Sequence, residues 1–139
     1  MEALFDIDMQ FRWDMSPITS REYGEGRYIG SGEGTANGQR ICGSVRWDLF
    51  EIEEKRFCRS NLIGTIDTID GANISFDSRG FFIKPDEAKP KNWVTTSSVL
   101  FETIDGRYNW LNNRIGVWEG TFDMETYRHV YQAYLQPPR

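Results

Sequence analysis

The chain has 139 residues and a formal net charge of −5, with 39% hydrophobic and 27% charged residues. That is the length of one domain, residues 1–139, with enough apolar content to exclude a wholly disordered chain. No apolar run approaches the roughly 18 residues of a membrane helix, and an acidic chain without a Lys/Arg cluster argues against nucleic acid and membrane as partners.

Hydrophobicity recurs with period two almost from end to end. Phe5, Ile7, Met9, Phe11 and Trp13 alternate with Asp6, Asp8, Gln10, Arg12 and Asp14, which predicts a strand with one apolar face. Residues 28–36 form a glycine-rich extended run ending at Asn37-Gly38, a two-residue hairpin signal. Ile41, Gly43, Val45, Trp47 and Leu49 then alternate with Cys42, Ser44, Arg46, Asp48 and Phe50, and the charged stretch Glu51 to Arg56 reads as a turn. Leu62 to Ile69 is strand-like and closes on Asp70-Gly71; Ile74 to Ile83 is the next strand, followed by a polar loop from Pro85 to Pro90. Val94 to Thr103, Ile115 to Phe122 and Tyr127 to Leu135 complete the set, with a short compact segment up to Leu111. No helix-length stretch carries a 3.6-residue period. The expectation is an all-β domain: about eight antiparallel strands in an up-and-down barrel, calycin- or lipocalin-like, or a related sandwich. A barrel of eight strands is either filled by its own side chains or holds one small ligand.

The middle strands carry mixed polarity. Thr95, Ser97 and Thr103 share one face of their strand, and Thr96, Ser98 and Glu102 the other; Ser75, Asp77, Arg79 and Phe81 share a face opposite Ile74, Phe76, Ser78 and Phe82. A ligand-lined lumen, an exposed sheet or an oligomer contact would each show this pattern.

Chemistry is restricted by one histidine and two cysteines. His129, in the alternating Tyr127 to Tyr131 stretch, reads as a hydrogen-bonded sheet histidine. Cys42 and Cys58 read as plain thiols, able to meet only if their segments pair in the right register. No CxxC or HxxxH spacing supports a metal, and none is expected. Gly30, Gly32 and Gly34 lack the spacing and following helix of a nucleotide loop, and are read as points of close backbone approach; no cofactor is expected.

The run Phe101-Glu102-Thr103-Ile104-Asp105-Gly106-Arg107-Tyr108-Asn109-Trp110-Leu111-Asn112 resembles the signature of the domain-of-unknown-function 3237 family, and Ile115-Gly116-Val117 follows it as the family's next strand does. Asp70-Gly71-Ala72, Ser78-Arg79-Gly80 and the early glycine run are similar to further family segments, whereas Arg46 to Phe50 departs from the family's glycine-pair segment. The resemblance spans about residues 3 to 135. It implies a small calycin-like barrel and no particular activity.

Arg79 is the candidate ligand-holding cation, its planar fork suited to a carboxylate or an oxyanion, with a structural ion pair as the alternative. Glu102 is the candidate catalytic acid or base if it faces the lumen. Tyr108, Trp110 and Asn112 either plug a barrel end or line a pocket mouth, and Glu119 either reaches the lumen or marks a wet strand end. Three functions remain open: a barrel binding a small apolar or aromatic molecule; a cofactor-free lyase, isomerase or cyclase using a lumen carboxylate; and a homo-oligomeric scaffold with a filled barrel. A cytoplasmic location is expected, because the N-terminus has neither a basic flank nor an apolar run of signal length.

Overall fold

The computed structural model describes residues 1–12, 16–20, 26–85 and 91–137, with 16–20 described through their backbone. Trp13 and most of the Pro85 to Pro90 loop lie outside the described residues. The described residues form nine strands, most of them on alternating apolar residues: β1 (Glu2–Phe11), β2 (Ser16–Ser20), β3 (Gly26–Asn37), β4 (Cys42–Glu53), β5 (Phe57–Thr68), β6 (Asn73–Ile83), β7 (Asn92–Glu102), β8 (Ile115–Asp123) and β9 (Arg128–Leu135). A single turn of 3-10 helix, Asn109–Leu111, lies between β7 and β8.

Each strand from β2 onward pairs antiparallel with the next, β9 pairs with β1, and β1 pairs with β3, which closes the sheet. Along one edge of β3, β1 pairs with Gly32–Asn37 and β2 with Gly26–Ile29. The ten-residue β1 and the five-residue β2 act as one stave, so the nine segments make an eight-stave, up-and-down antiparallel barrel. The β1–β3 pairing closes the sheet on itself, and closure removes most of the sheet edge.

The register puts the expected apolar faces inside. Ile7, Met9, Phe11, Val45, Trp47, Leu49, Ile74, Phe76 and Phe82 are all buried. The pairing shifts between Ala3 and Phe5, and Leu4 and Phe5 are then both buried. The hairpin loops are longer than the two residues the Asn-Gly and Asp-Gly pairs suggest. β3 and β4 are joined by residues 38–41, where Gly38 N donates to Ile41 O at 2.9 Å. β5 and β6 are joined by residues 69–72, where Gly71 takes the positive φ of 90° that only glycine adopts freely. Gly32 does what close backbone approach requires: a Cβ there would strike the Trp47 ring and the Gln10 carbonyl.

One end of the barrel is closed. Leu111 and Tyr108 are buried against it, and Phe5, Phe101 and Trp118 meet beneath them with ring centroids 6.3 to 6.4 Å apart. The strand ends carrying Glu51, Cys58, Phe82, Trp93, Phe122 and His129 lie at the other end.

Candidate functional site

The inward phase of each strand fixes what the lumen contains. On β4, Val45, Trp47 and Leu49 point inward, so Glu51 does too, and it is buried. Glu51 lies opposite Ser60, Ser60 opposite Gly80, and Gly80 opposite Ser97, all inward-facing. One row further from the plug, Thr95 lies opposite Gly120 and Gly120 opposite Tyr131. Gly120 has no side chain to intervene, and the Tyr131 hydroxyl points at Thr95. Among the described residues, neither oxygen closes a hydrogen bond of ordinary geometry.

His129 is fully buried and surrounded by rings: Tyr131 at 4.0 Å, Phe82 at 4.9 Å, Phe122 at 5.2 Å and Phe11 at 5.4 Å between centroids. Burial holds its pKa well below the usual histidine value, so the ring is neutral. The expected sheet hydrogen bonds are not made: neither ring nitrogen has a partner among the described residues. The reason is phase, because His129 shares the inward face with Tyr131, Ala133 and Leu135.

Further polar atoms in the lumen share this state. Among the described residues, the indole N–H groups of Trp47, Trp93 and Trp118 and the Ser60 hydroxyl are also buried without a hydrogen-bond partner. Most buried polar groups in folded proteins are paired, so eight unpaired atoms in one barrel mark the lumen as a chemical feature.

Above them is a pocket of about 200 Å³ lined by Phe11, Tyr28, Glu51, Glu53, Trp93, Phe122, Met124 and Tyr127. Burial pushes the Glu51 carboxyl up to about 7, partly countered by the Cys58 thiol donating to it; nearby Glu53 raises it further and Lys84 lowers it. The Cys58 thiol is itself pushed far up by burial and by Glu51, so it stays protonated and unreactive. Lys84 Nζ donates to Glu53 Oε1 at 2.7 Å and to Glu54 O at 2.7 Å, and sits 5.2 Å from the Trp93 ring centroid. The pocket therefore presents a carboxylic acid that is half-protonated near neutral pH, beside an ion pair and aromatic walls. Among the described residues no cluster of three His, Cys, Asp or Glu is placed to hold a metal.

The structure brings none of the six residues singled out in the sequence to this pocket. Arg79 points out of the barrel, because Ser78, Gly80 and Phe82 take the inward positions of β6; it pairs with Asp77 at 3.4 Å. Glu102 also faces outward, one residue out of phase with buried Phe101, on the same outer wall as Arg79. Glu119 is exposed beside fully buried Trp118, so Ile115, Val117 and Glu119 form the outer face of β8. Arg79 and Glu102 therefore contribute to no interior site: the ion-pair alternative holds for Arg79, and Glu102 does not face the lumen. Tyr108, Trp110 and Asn112 hold the closed end. Tyr108 Oη donates to Asp70 Oδ2 at 2.8 Å, and Trp110 Nε1 donates to Arg107 O at 3.1 Å beneath the Arg40 guanidinium. Asn112 brackets Thr103, accepting from its N–H at 3.0 Å and donating to its carbonyl at 2.9 Å. Cys42 and Cys58 sit at opposite ends of the β4–β5 hairpin and cannot meet, since Cys58 lies opposite Glu53.

Glu51, Ser60, Thr95, His129 and Tyr131 are the residues sequence reading missed as a site. The signal was present: Glu51 continues the two-residue phase of Val45, Trp47 and Leu49, and His129 that of Tyr131, Ala133 and Leu135.

A family model described as "Protein of unknown function (DUF3237)" matches residues 1–135. The chain belongs to the DUF3237 family. No curated protein is significantly similar to it in sequence. Among solved structures, this DUF3237 chain is similar to a β-barrel-like protein from Acinetobacter baumannii AYE, with a TM-score of 0.83 and 21% identity over 97% of this chain and 94% of that one. It is also similar to a protein of unknown function from Clostridium acetobutylicum, with a TM-score of 0.83 and 20% identity over 98% of each chain. An enzyme from Penicillium herquei matches with a TM-score of 0.64 and 18% identity over 96% and 94%. These likenesses establish the barrel fold.

Proposed function

We propose that this DUF3237 barrel binds a small, neutral, largely aromatic molecule at the Glu51 end of its lumen, in the manner of calycin-like barrels. The observation that carries the reading is the set of unpartnered buried polar atoms beneath the pocket. Their chemistry favours one ligand type. Indole N–H groups can only donate, the protonated Glu51 carboxyl donates, and the hydroxyls of Ser60, Thr95 and Tyr131 can do so. Neutral His129 supplies both a donor and an acceptor. A ligand matching this set brings acceptor oxygens, carbonyl or ether, and no charge, because burial already disfavours the ionised forms of Glu51, Tyr131 and His129. A volume of about 200 Å³ suits one or two rings. Free Cys42 and Cys58 suit a reducing, cytoplasmic setting.

The test is a fluorescence titration, with Trp93 in the pocket wall as reporter. Naphthoquinone and aryl ketones are expected to bind at least ~10-fold more tightly than naphthalene, the margin of about one unsatisfied hydrogen bond. Naphthoate is expected not to bind. Equal affinity for hydrocarbon and quinone, or no binding by any of them, overturns the reading.

A second reading rests on Glu51 alone. A carboxyl with a pKa of about 7 in an apolar pocket is poised as a general acid or base for cofactor-free proton transfer, as in a lyase, isomerase or cyclase. One similar barrel, from Penicillium herquei, is described as an enzyme. Turnover of a bound ketone with a pH inflection near 7, lost in Glu51→Gln, would support catalysis; binding without turnover leaves the protein a carrier.

A further inference from the structure

The pocket wall holds one backbone conformation that its residue type does not favour. Tyr127 has a φ of 60°. This left-handed region suits glycine and asparagine, and a bulky side chain there is an outlier that the surrounding structure must hold in place. Among the described residues, the other non-glycine residue of positive φ is Asn113, at 61°, of a type that takes the conformation readily. At Tyr127 the holding is visible. Residues 124–127 connect β8 to β9, and Asp123 Oδ1 accepts from the Glu125 N–H at 2.8 Å and from the Thr126 N–H at 3.2 Å. The Tyr127 N–H donates to Asp123 O at 2.8 Å, and the Tyr127 carbonyl accepts from Phe11 N at 3.1 Å. Gln10 Nε2 donates to Thr126 O at 2.7 Å.

All of these bonds go to backbone atoms of the turn, and a glycine at 127 would make them equally well at no conformational cost. What tyrosine adds is its ring. The ring is half-buried, lines the pocket with Phe11 and Trp93, and stacks on Phe122 with centroids 5.8 Å apart and planes 29° apart. Phe122 in turn meets Phe82, Trp93 and His129 at 5.2 to 5.8 Å. Tyr127 therefore carries the aromatic stack of the lumen into the wall of the pocket. We infer that Tyr127 is a specificity-determining residue of this pocket: the turn fixes its ring beside Phe122 as a flat wall that selects planar aromatic ligands over saturated ones of the same size. The inference rests on the ligand-binding reading above. It adds the group that reads ring shape, where the unpartnered polar atoms read acceptor oxygens. Offset-stacked rings attract at centroid separations of about 4.5–7 Å. A planar ligand against Tyr127 can repeat the spacing of the Tyr127–Phe122 pair, and a puckered ring of the same volume cannot.

The experiment is calorimetric titration of the full chain with acetylnaphthalene and, separately, with its fully saturated analogue, which keeps the carbon skeleton and the carbonyl. Wild type is expected to prefer the aromatic ketone at least ~5-fold. Tyr127→Phe keeps the ring and is expected to keep the preference. Tyr127→Asn and Tyr127→Gly suit the left-handed backbone and remove the ring, so each is expected to fold and to bind the two ketones within ~2-fold of each other. A tyrosine with a merely structural role would weaken both ketones alike and leave their ratio unchanged in these variants, and that result overturns the inference. So does loss of the preference in Tyr127→Phe, equal binding of the two ketones by wild type, or failure of both ring-less variants to fold by circular dichroism. Each of these outcomes leaves the ligand-binding reading standing. Wild type binding neither ketone overturns that reading, and this inference with it.

Discussion

Glu51 offers the sharpest test of the lumen, because its effect on stability has a defined sign and pH window. Burial raises its carboxyl from 4.5 to about 7. Between those values the folded state keeps a proton that the unfolded state has released, so stability falls as pH rises from about 4.5 to about 7 and is level beyond. At ~1.4 kcal/mol per pH unit the separation amounts to about 3 kcal/mol. Glu51→Gln keeps the shape and removes the titration. The variant and wild type should therefore unfold with nearly equal free energy at pH 4, and the variant should be about 3 kcal/mol more stable at pH 8. For a chain of this length that corresponds to about 10 °C in melting temperature. Asp8, Asp70, Asp105 and Asp123 do not blur the window. Their pKa values are held low by hydrogen bonds, so the stability they add is lost only as pH falls below the ordinary carboxylate range. Urea unfolding of both proteins from pH 4 to pH 8 is the assay. A difference that stays constant across that range, or a variant less stable at pH 8, would refute the buried, proton-holding Glu51.

His129→Leu removes two unpartnered nitrogens from an aromatic box at similar volume; it should raise stability by about 1–3 kcal/mol in urea unfolding and abolish quinone binding in the fluorescence titration. Gly32→Ala should cost about 1–3 kcal/mol, because its Cβ would meet the Trp47 ring and a backbone carbonyl. Leu111→Ala, at the fully buried plug, should cost about 2–5 kcal/mol yet leave lumen binding intact in the folded protein, whereas Trp110→Ala, only partly buried, should cost less, about 1–2 kcal/mol.

The barrel was legible because alternation is a strong signal wherever one face is strictly apolar, as in Phe5, Ile7, Met9 and Phe11. Strand number and order followed from turn spacing. Loop lengths did not: Asp70-Gly71 sits inside the four-residue connection 69–72, whereas Asn37 stays in the ladder opposite Cys42 and only Gly38 enters the connection 38–41. The site was misread for a physical reason. Arg79 drew attention as a charge among apolar neighbours and Glu102 as a carboxylate on a strand of hydroxyls, but in a two-residue period the immediate neighbours of an outward residue are inward ones. The informative relation is to residues two away. On that relation Arg79 aligns with Asp77 and Phe81, outside, and Glu51 aligns with Leu49 and Trp47, inside. Scattered apolar residues on the outer face then hid the contrast, since Phe50, Phe81 and Leu100 make both faces of β4, β6 and β7 look partly buried.

The two ends of the barrel treat polar groups in opposite ways. At the closed end Tyr108, Asn112 and Thr68 all find partners: Tyr108 donates to Asp70, Asn112 brackets Thr103, and the Thr68 hydroxyl accepts from Ala72 N at 2.8 Å. Toward the Glu51 end, the buried polar atoms of His129, Tyr131, Thr95, Ser60 and Trp93 find none of ordinary geometry among the described residues. An unsatisfied buried group costs about 1–3 kcal/mol, and a domain's whole stability is on the order of 5–15 kcal/mol. Eight such atoms left permanently unpaired would consume a margin of that size. On the reading proposed above, a ligand in the lumen supplies partners for these groups, while the plug holds the staves in register at the other end. A site organised in this way is stabilised by its own occupant. Saturating quinone should therefore raise the melting temperature of wild type more than that of His129→Leu, while a hydrocarbon of the same shape separates the two proteins little.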